Sequence, residues 1–291
     1  MLKSIELGNG ETYGYREAGE GDRTLILIHG NMTSSKHWDV AIDRLRDKFH
    51  IYAVDLRGFG ASSYHREINS LKDFSEDIKL FIERLGLNKF SLAGWSTGGG
   101  VAMQFAADYP SFVEKLILVA SVGIQGYALP KRNGMGRIIA GEFLTTKEEI
   151  ANDPAIAPGL IALGNRDKVF YRNLWDSLIY TKYKPAPEQY AEYIEDSLTQ
   201  RNLVDVFYAL THFNISPEFN GIDSGSGDVT RIQAPTLILQ GDRDLVIPRI
   251  SAEEIARDLP NSELFIVPDC GHSPLIDSLD ILVDKIIEFL D

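Results

Sequence analysis

The chain has little cysteine. Cys270 stands alone among 291 residues, which excludes an internal disulfide framework and agrees with a reducing compartment. Long hydrophobic runs are absent too: no stretch approaches the roughly 18 apolar residues that a membrane-spanning helix needs. The opening MLKSIELGNG lacks the apolar core of a secretory leader, so a cytoplasmic protein without a transmembrane segment is expected. Basic residues are outnumbered, 29 Lys and Arg against 42 Asp and Glu, for a formal charge of −13. Such a chain repels phosphate backbones, no local basic cluster offsets the repulsion, and nucleic acid is not an expected partner. Neither an H-E-x-x-H motif nor paired cysteines occur, so no metal and no cofactor is expected. There is no internal repeat.

What is present is a large apolar fraction, 44% of residues, enough to build an extended core. The segments SIEL and ETYGYRE around Gly8-Asn9-Gly10 read as an opening β-hairpin. Short unbroken apolar runs follow at 24–30 (TLILIHG), 51–55 (IYAVD), 90–94 (FSLAG) and 115–121 (KLILVAS), as in strands buried on both faces. Between them, residues 71–86 place Leu71, Phe74, Ile78, Phe81, Ile82 and Leu85 on one helical stripe that stops at Gly86. Alternating strands and helices imply an α/β fold with a mostly parallel sheet. From about Gly123 to Thr230 the alternation fails, and helical patterns at 166–183 and 187–213 lead to the polar loop NGIDSGSGD. The alternation then resumes with PTLILQG at 235–241, a helix at 251–259, LFIVP at 264–268 and a C-terminal amphipathic helix.

Gly94-Trp95-Ser96-Thr97-Gly98 fits G-x-S-x-G, a pattern that arises by chance in roughly one chain of this length in ten. Its setting is more specific, because a buried-strand run precedes Ser96 and a helix rich in small residues follows. A nucleophile elbow needs that strand-turn-helix context. A serine hydroxyl also needs a base, and of six histidines only His272 follows a late strand, on a loop at the same sheet edge as the elbow. His29 is the rival, with fixing loop geometry as its simpler role. An acid must hold the imidazole; Asp244 in GDRDLVIP is chosen, with Asp242 two residues away as the competitor. Backbone N–H groups of Thr97 and Asn31 are the expected oxyanion donors, with Met32 as the alternative second donor. Trp95 and Trp175 are candidate substrate contacts.

The segments HGNMTSS (29–35), DLRGFGASS (55–63), GWSTGG (94–99), GDRDLVIP (241–248) and GHSP (271–274) resemble the α/β-hydrolase superfamily. The resemblance implies the α/β-hydrolase fold: an eight-stranded, mostly parallel sheet flanked by helices, with a helical lid inserted after the sixth strand. On this basis residues 1–122 and 231–291 are the core domain and 123–230 the lid. A serine at the elbow separates the chain from relatives with aspartate there, the haloalkane dehalogenases and epoxide hydrolases. The chain also resembles the intracellular polyhydroxybutyrate depolymerase-like esterases of bacilli, which implies 3-hydroxyacyl esters as substrates. The expected activity is hydrolysis of carboxylic esters, small or oligomeric, through an acyl-enzyme. Two alternatives stay open: a carbon–carbon hydrolase of ring-cleavage products, and a ligand sensor that keeps the triad. The former needs a basic contact, for which Arg132, Arg137, Arg166 and Arg172 are the insertion's candidates. A homodimer is left open.

Overall fold

A computed structural model describes residues 1–291. The chain opens with β1 (Leu2–Glu6) and β2 (Thr12–Ala18), an antiparallel pair turned at Gly10, whose φ of +85° suits glycine. Then come β3 (Arg23–Ile28), α1 (Asp39–Leu45), β4 (Phe49–Val54), α2 (Leu71–Leu85), β5 (Phe90–Trp95), α3 (Thr97–Asp108) and β6 (Val113–Val119). After a long insertion follow β9 (Thr236–Gly241), α9 (Arg249–Asp258), β10 (Ser262–Val267), α10 (Pro274–Asp277) and α11 (Leu279–Leu290). These strands form one eight-stranded sheet, ordered β1-β2-β4-β3-β5-β6-β9-β10, parallel from β4 onward.

The period of two explains why the central strands carry unbroken apolar runs. Ile26, Ile28, Leu92, Leu116 and Leu118 enter the core under α2, α3 and α9, while Leu25, Leu27, Ala93, Ile117 and Val119 enter the opposite one, under α1 and α11. Helix α2 starts with a capping box between Ser70 and Asp73 and stops at Gly86, whose φ of +68° is the left-handed cap. Its stripe is buried, Leu71, Phe74, Ile78, Phe81 and Ile82 all facing the sheet.

The insertion between β6 and β9 contains a two-stranded hairpin, β7 (Pro130–Arg132) and β8 (Ile138–Phe143). Five helices follow: α4 (Lys147–Asn152), α5 (Ala157–Gly164), α6 (Lys168–Leu178), α7 (Pro187–Ser197) and α8 (Leu203–Thr211). Two features differ from the sequence expectation of helices only. The hairpin is largely exposed, so it has no apolar alternation to announce it. The pattern at 187–213 breaks at 198–202 because Thr199, Gln200 and Asn202 hydrogen-bond distant loops instead of continuing a helix. The last third of the insertion is also part of the main core, with Val206, Leu210, Phe213, Ile215 and Val229 buried against it. No helix is long and apolar enough to cross a membrane.

Candidate active site

Ser96 stands between β5 and α3 with φ 56° and ψ −120°, a conformation that L-residues adopt only under constraint, at a cost of about 1–3 kcal/mol. Three backbone hydrogen bonds hold it there: Ser96 N–H to Val119 O (3.0 Å), and Gly99 and Val122 N–H to Ser96 O (2.9 and 3.2 Å). The flanking glycines are required by contact. A methyl at residue 94 would overlap the Gly98 carbonyl, and one at 98 would overlap the carbonyls of His29 and Ile28. Strand, helix and the end of β3 therefore meet backbone to backbone, which turns the Ser96 hydroxyl toward the loop after β10.

That loop carries His272. Its Nε2 lies 3.0 Å from Ser96 Oγ, and its Nδ1 lies 2.9 Å from Asp244 Oδ2. Both side chains are nearly sealed from solvent, at 2% and 1% exposure, so water does not screen the pair. Asp244 Oδ2 also accepts from Gln240 Nε2 (3.0 Å), while its Oδ1 accepts the N–H groups of Val246 (2.8 Å) and Ile247 (2.9 Å). Burial alone would raise the Asp244 pKa; the His272 ring and these donors outweigh it and hold the carboxyl below its ordinary value. Asp242 does not reach the histidine. Its Oδ1 accepts the Cys270 N–H (3.1 Å), so this residue shapes the turn.

Thr97 is the first residue of α3, so its N–H lies outside the intrahelical ladder and at the positive end of the helix dipole. At the HGN loop, the Met32 N–H is already taken by Asn31 Oδ1 (3.0 Å) and Gln200 Oε1 (3.1 Å), which leaves Asn31 as the backbone donor of that pair. Both Asn31 and Thr97 line the cavity above Ser96. His29 is held in one tautomer, Nδ1–H donating to Gly30 O (2.7 Å) and Nε2 accepting the Leu56 N–H (3.0 Å). Burial pushes its pKa down to about 4, so the ring is a neutral brace for the loop.

Trp95 and Trp175 both line the cavity. The Trp95 indole N–H donates to the His272 carbonyl (2.8 Å), so this residue also fixes the histidine loop. Two supporting residues escape sequence reading. His37 stacks on Trp95 at 4.3 Å and 15°, meets Ser273 Oγ through Nε2 at 3.0 Å, and has a pKa pushed by burial down to about 3. Gln240 holds Asp244 from behind; its signal was a lone polar residue inside the apolar run PTLILQG. The cavity, about 160 Å³, is lined mostly by apolar side chains, among them Val122, Leu174, Ile179, Phe207 and Val246. Arg132, Arg137, Arg166 and Arg172 do not line it, and neither does any other Arg, Lys, Asp or Glu.

The sequence model of the α/β hydrolase fold matches residues 23–279. The chain belongs to the α/β-hydrolase family. Within that family it is 27% identical to the proline iminopeptidase PfmaB of Pestalotiopsis fici over the full length of both chains. It is 26% identical to Lipase 1 of Psychrobacter immobilis, covering 98% of this chain and 82% of the lipase. Among solved α/β-hydrolase structures, the esterase of Exiguobacterium antarcticum superposes with a TM-score of 0.76 at 20% identity, covering 100% of this chain and 99% of that one, a likeness of fold.

Proposed function

We propose that this chain is a serine hydrolase of carboxylic esters with an uncharged, apolar acyl group, in which Ser96 is the nucleophile, His272 the base and Asp244 the orienting acid. The observation that carries the reading is the continuous relay from Ser96 Oγ through His272 to Asp244, with contacts of 3.0 and 2.9 Å. Ser96 attacks the ester carbonyl while His272 Nε2 takes its proton, and Asp244 stabilises the imidazolium. The N–H groups of Asn31 and Thr97 receive the developing oxyanion. Collapse expels the alcohol, protonated by His272, and water activated by the same histidine releases the acid.

The cavity chemistry selects among bonds that this relay is able to cleave. An aminopeptidase must hold a protonated amine, and the cavity offers it no carboxylate. A carbon–carbon hydrolase of an acidic dienol needs a cation there, and none of the insertion's arginines supplies one. An apolar acyl group meets neither deficit. A dry apolar cavity of about 150 Å³ accommodates a benzene ring, so about 160 Å³ suits a short acyl chain. Tyr127, Asn31 and Thr97 are polar side chains that a 3-hydroxyacyl group would meet, which supports the depolymerase-like reading for oligomers. We assign 1–122 and 231–291 to the catalytic core and 123–230 to a lid that sets acyl preference, since Tyr127, Leu174, Trp175, Leu178 and Phe207 come from that segment.

A substrate panel tests this: p-nitrophenyl esters of increasing acyl length, 3-hydroxybutyrate oligomers and a ring-cleavage dienone. Fast turnover of the short esters or the oligomers is expected. Rapid cleavage of the dienone with negligible ester turnover would replace the ester reading by the carbon–carbon one, and binding without turnover of any substrate would favour a sensor.

A further inference from the structure

The insertion grips the loop that carries Asn31, one of the two proposed oxyanion donors. At the α7–α8 junction, Asp196 accepts the Ser34 N–H (2.8 Å), the Ser34 hydroxyl (2.6 Å) and the Thr33 hydroxyl (3.3 Å). Nearby, Thr199 Oγ1 accepts the Gly60 N–H (3.0 Å) and Asn202 Nδ2 donates to Arg57 O (2.7 Å). Gln200 sits in the middle, 4% exposed, against residues 31 and 32.

Met32 has a φ of +59°, a left-handed position that favours glycine, so something must hold it there. Its N–H donates to Asn31 Oδ1 and to Gln200 Oε1, at 3.0 and 3.1 Å. A backbone N–H can only donate, and it therefore dictates the sense of both side-chain amides: each turns its oxygen toward Met32. The Gln200 NH₂ is then left to donate to Asn31 Oδ1 (2.8 Å) and Asn202 Oδ1 (3.0 Å). Both ends of the Gln200 amide are engaged.

We infer that Gln200 is a positioning residue for the oxyanion hole, supplied by the insertion: it pins the Asn31–Met32 turn so that the Asn31 N–H, alongside that of Thr97, is the donor offered to the reacting carbonyl. The inference rests on the serine-hydrolase reading above and adds that the 196–202 segment is a fixed wall of the active site. An insertion that swung away as one body would release Asn31 and dismantle the hole.

The test measures kcat and KM for p-nitrophenyl butyrate, and the inhibition constant of a trifluoromethyl ketone, in the full-length wild type, Gln200→Met and Gln200→Glu. The ketone adduct carries the tetrahedral oxyanion, so its affinity reports the hole directly. A misplaced donor is expected to lower kcat about 10- to 100-fold, to weaken the ketone by the same factor and to change KM less than about threefold. Gln200→Glu adds a signature that a merely structural role would not give. A protonated glutamic acid keeps the acceptor for the Met32 N–H and one of the two donors that the amide supplies, whereas its carboxylate presents no donor to Asn31 Oδ1, so kcat relative to wild type should rise as pH falls. Either variant folded with kcat within about twofold of wild type, or a loss confined to KM with ketone affinity unchanged, would overturn the inference. Should Gln200→Met fail to fold, Gln200→Glu decides alone, and a pH-independent ratio to wild type refutes it. A wild type that turns over no ester would strike down the hydrolase reading first, and this inference with it.

Discussion

Replacing Asp244 by Asn should inactivate the enzyme by reversing the histidine, and the reversal can be worked out from the bonds around the carboxylate. Asp244 Oδ1 faces two backbone N–H groups, those of Val246 and Ile247 at 2.8 and 2.9 Å. These can only donate, so asparagine must keep its oxygen there and place its NH₂ where Oδ2 now faces His272 Nδ1 and Gln240 Nε2. Facing a donor, Nδ1 must accept. The imidazole proton moves to Nε2, and the nitrogen 3.0 Å from Ser96 Oγ is then unable to take the serine proton. The corresponding change in a Ser-His-Asp protease costs about 10⁴ in kcat, or about 5.5 kcal/mol of transition-state stabilisation. The displaced Gln240 amide adds about 1–3 kcal/mol of lost stability, because turning it would give up its bonds to the Gly241 and Ile247 carbonyls. Asp242→Asn keeps an oxygen for the Cys270 N–H and should stay within a few-fold of wild type. The assay is kcat for p-nitrophenyl butyrate on both variants after thermal melting has confirmed the fold. A folded Asp244→Asn with more than about a tenth of wild-type kcat, or an Asp242→Asn that loses more than Asp244→Asn, would refute the reasoning.

Stability should fall as pH drops below about 6.5, the reference value for a free histidine. Burial lowers His29 and His37 to about 4 and about 3, so in that interval the unfolded chain binds protons that the native state refuses, and the slope favours unfolding. Asp196, raised to about 6 chiefly by burial, works the other way below that pH because the native state holds its proton more tightly, as do the raised carboxyls of Asp77, Asp277 and Glu254. The ion-paired and hydrogen-bonded carboxyls held below their ordinary value, among them Glu17, Glu149, Asp176, Asp244 and Asp269, add to the loss on the acid side and tip the balance with the two histidines. A wild-type urea midpoint that does not fall between neutral pH and pH of about 4.5, or one that falls as far in His37→Phe as in wild type, would contradict this balance. Trp175→Ala should cost about 3–5 kcal/mol of stability and move the preferred acyl chain longer by a few carbons, at about 0.8 kcal/mol per buried methylene. A panel of kcat/KM values with an unchanged optimum would show that Trp175 does not bound the acyl site.

Much of the fold was legible because its strands are buried on both faces. Runs such as TLILIHG are too short for a buried helix and end at glycine, which marks them as strands, and Gly86 marks the end of α2 by a chain geometry that few residues adopt. The serine elbow was legible for a related reason: a strand, a serine between glycines and a helix of small residues specify one turn. What the sequence left open lies in loops whose partners are far away along the chain. Asp242 and Asp244 share a turn and a residue type, and only their side-chain directions distinguish them. His37 reads as an ordinary polar residue near the HGN loop, because Trp95 and Ser273, which give it meaning, are 58 and 236 residues distant. Gln200 looks like a helix residue; its partners Asn31 and Met32 lie 169 and 168 positions away. The 130–143 hairpin buries little, so no periodicity records it.

The central claim is that an acyl group passes through Ser96, and the direct measurement is peptide mass spectrometry of the enzyme quenched in acid during turnover of a p-nitrophenyl ester. The account predicts one acyl group, on the peptide that contains Ser96, and neither adduct nor turnover in Ser96→Ala. An adduct on any other residue, or a folded Ser96→Ala that hydrolyses the ester at the wild-type rate, would contradict it.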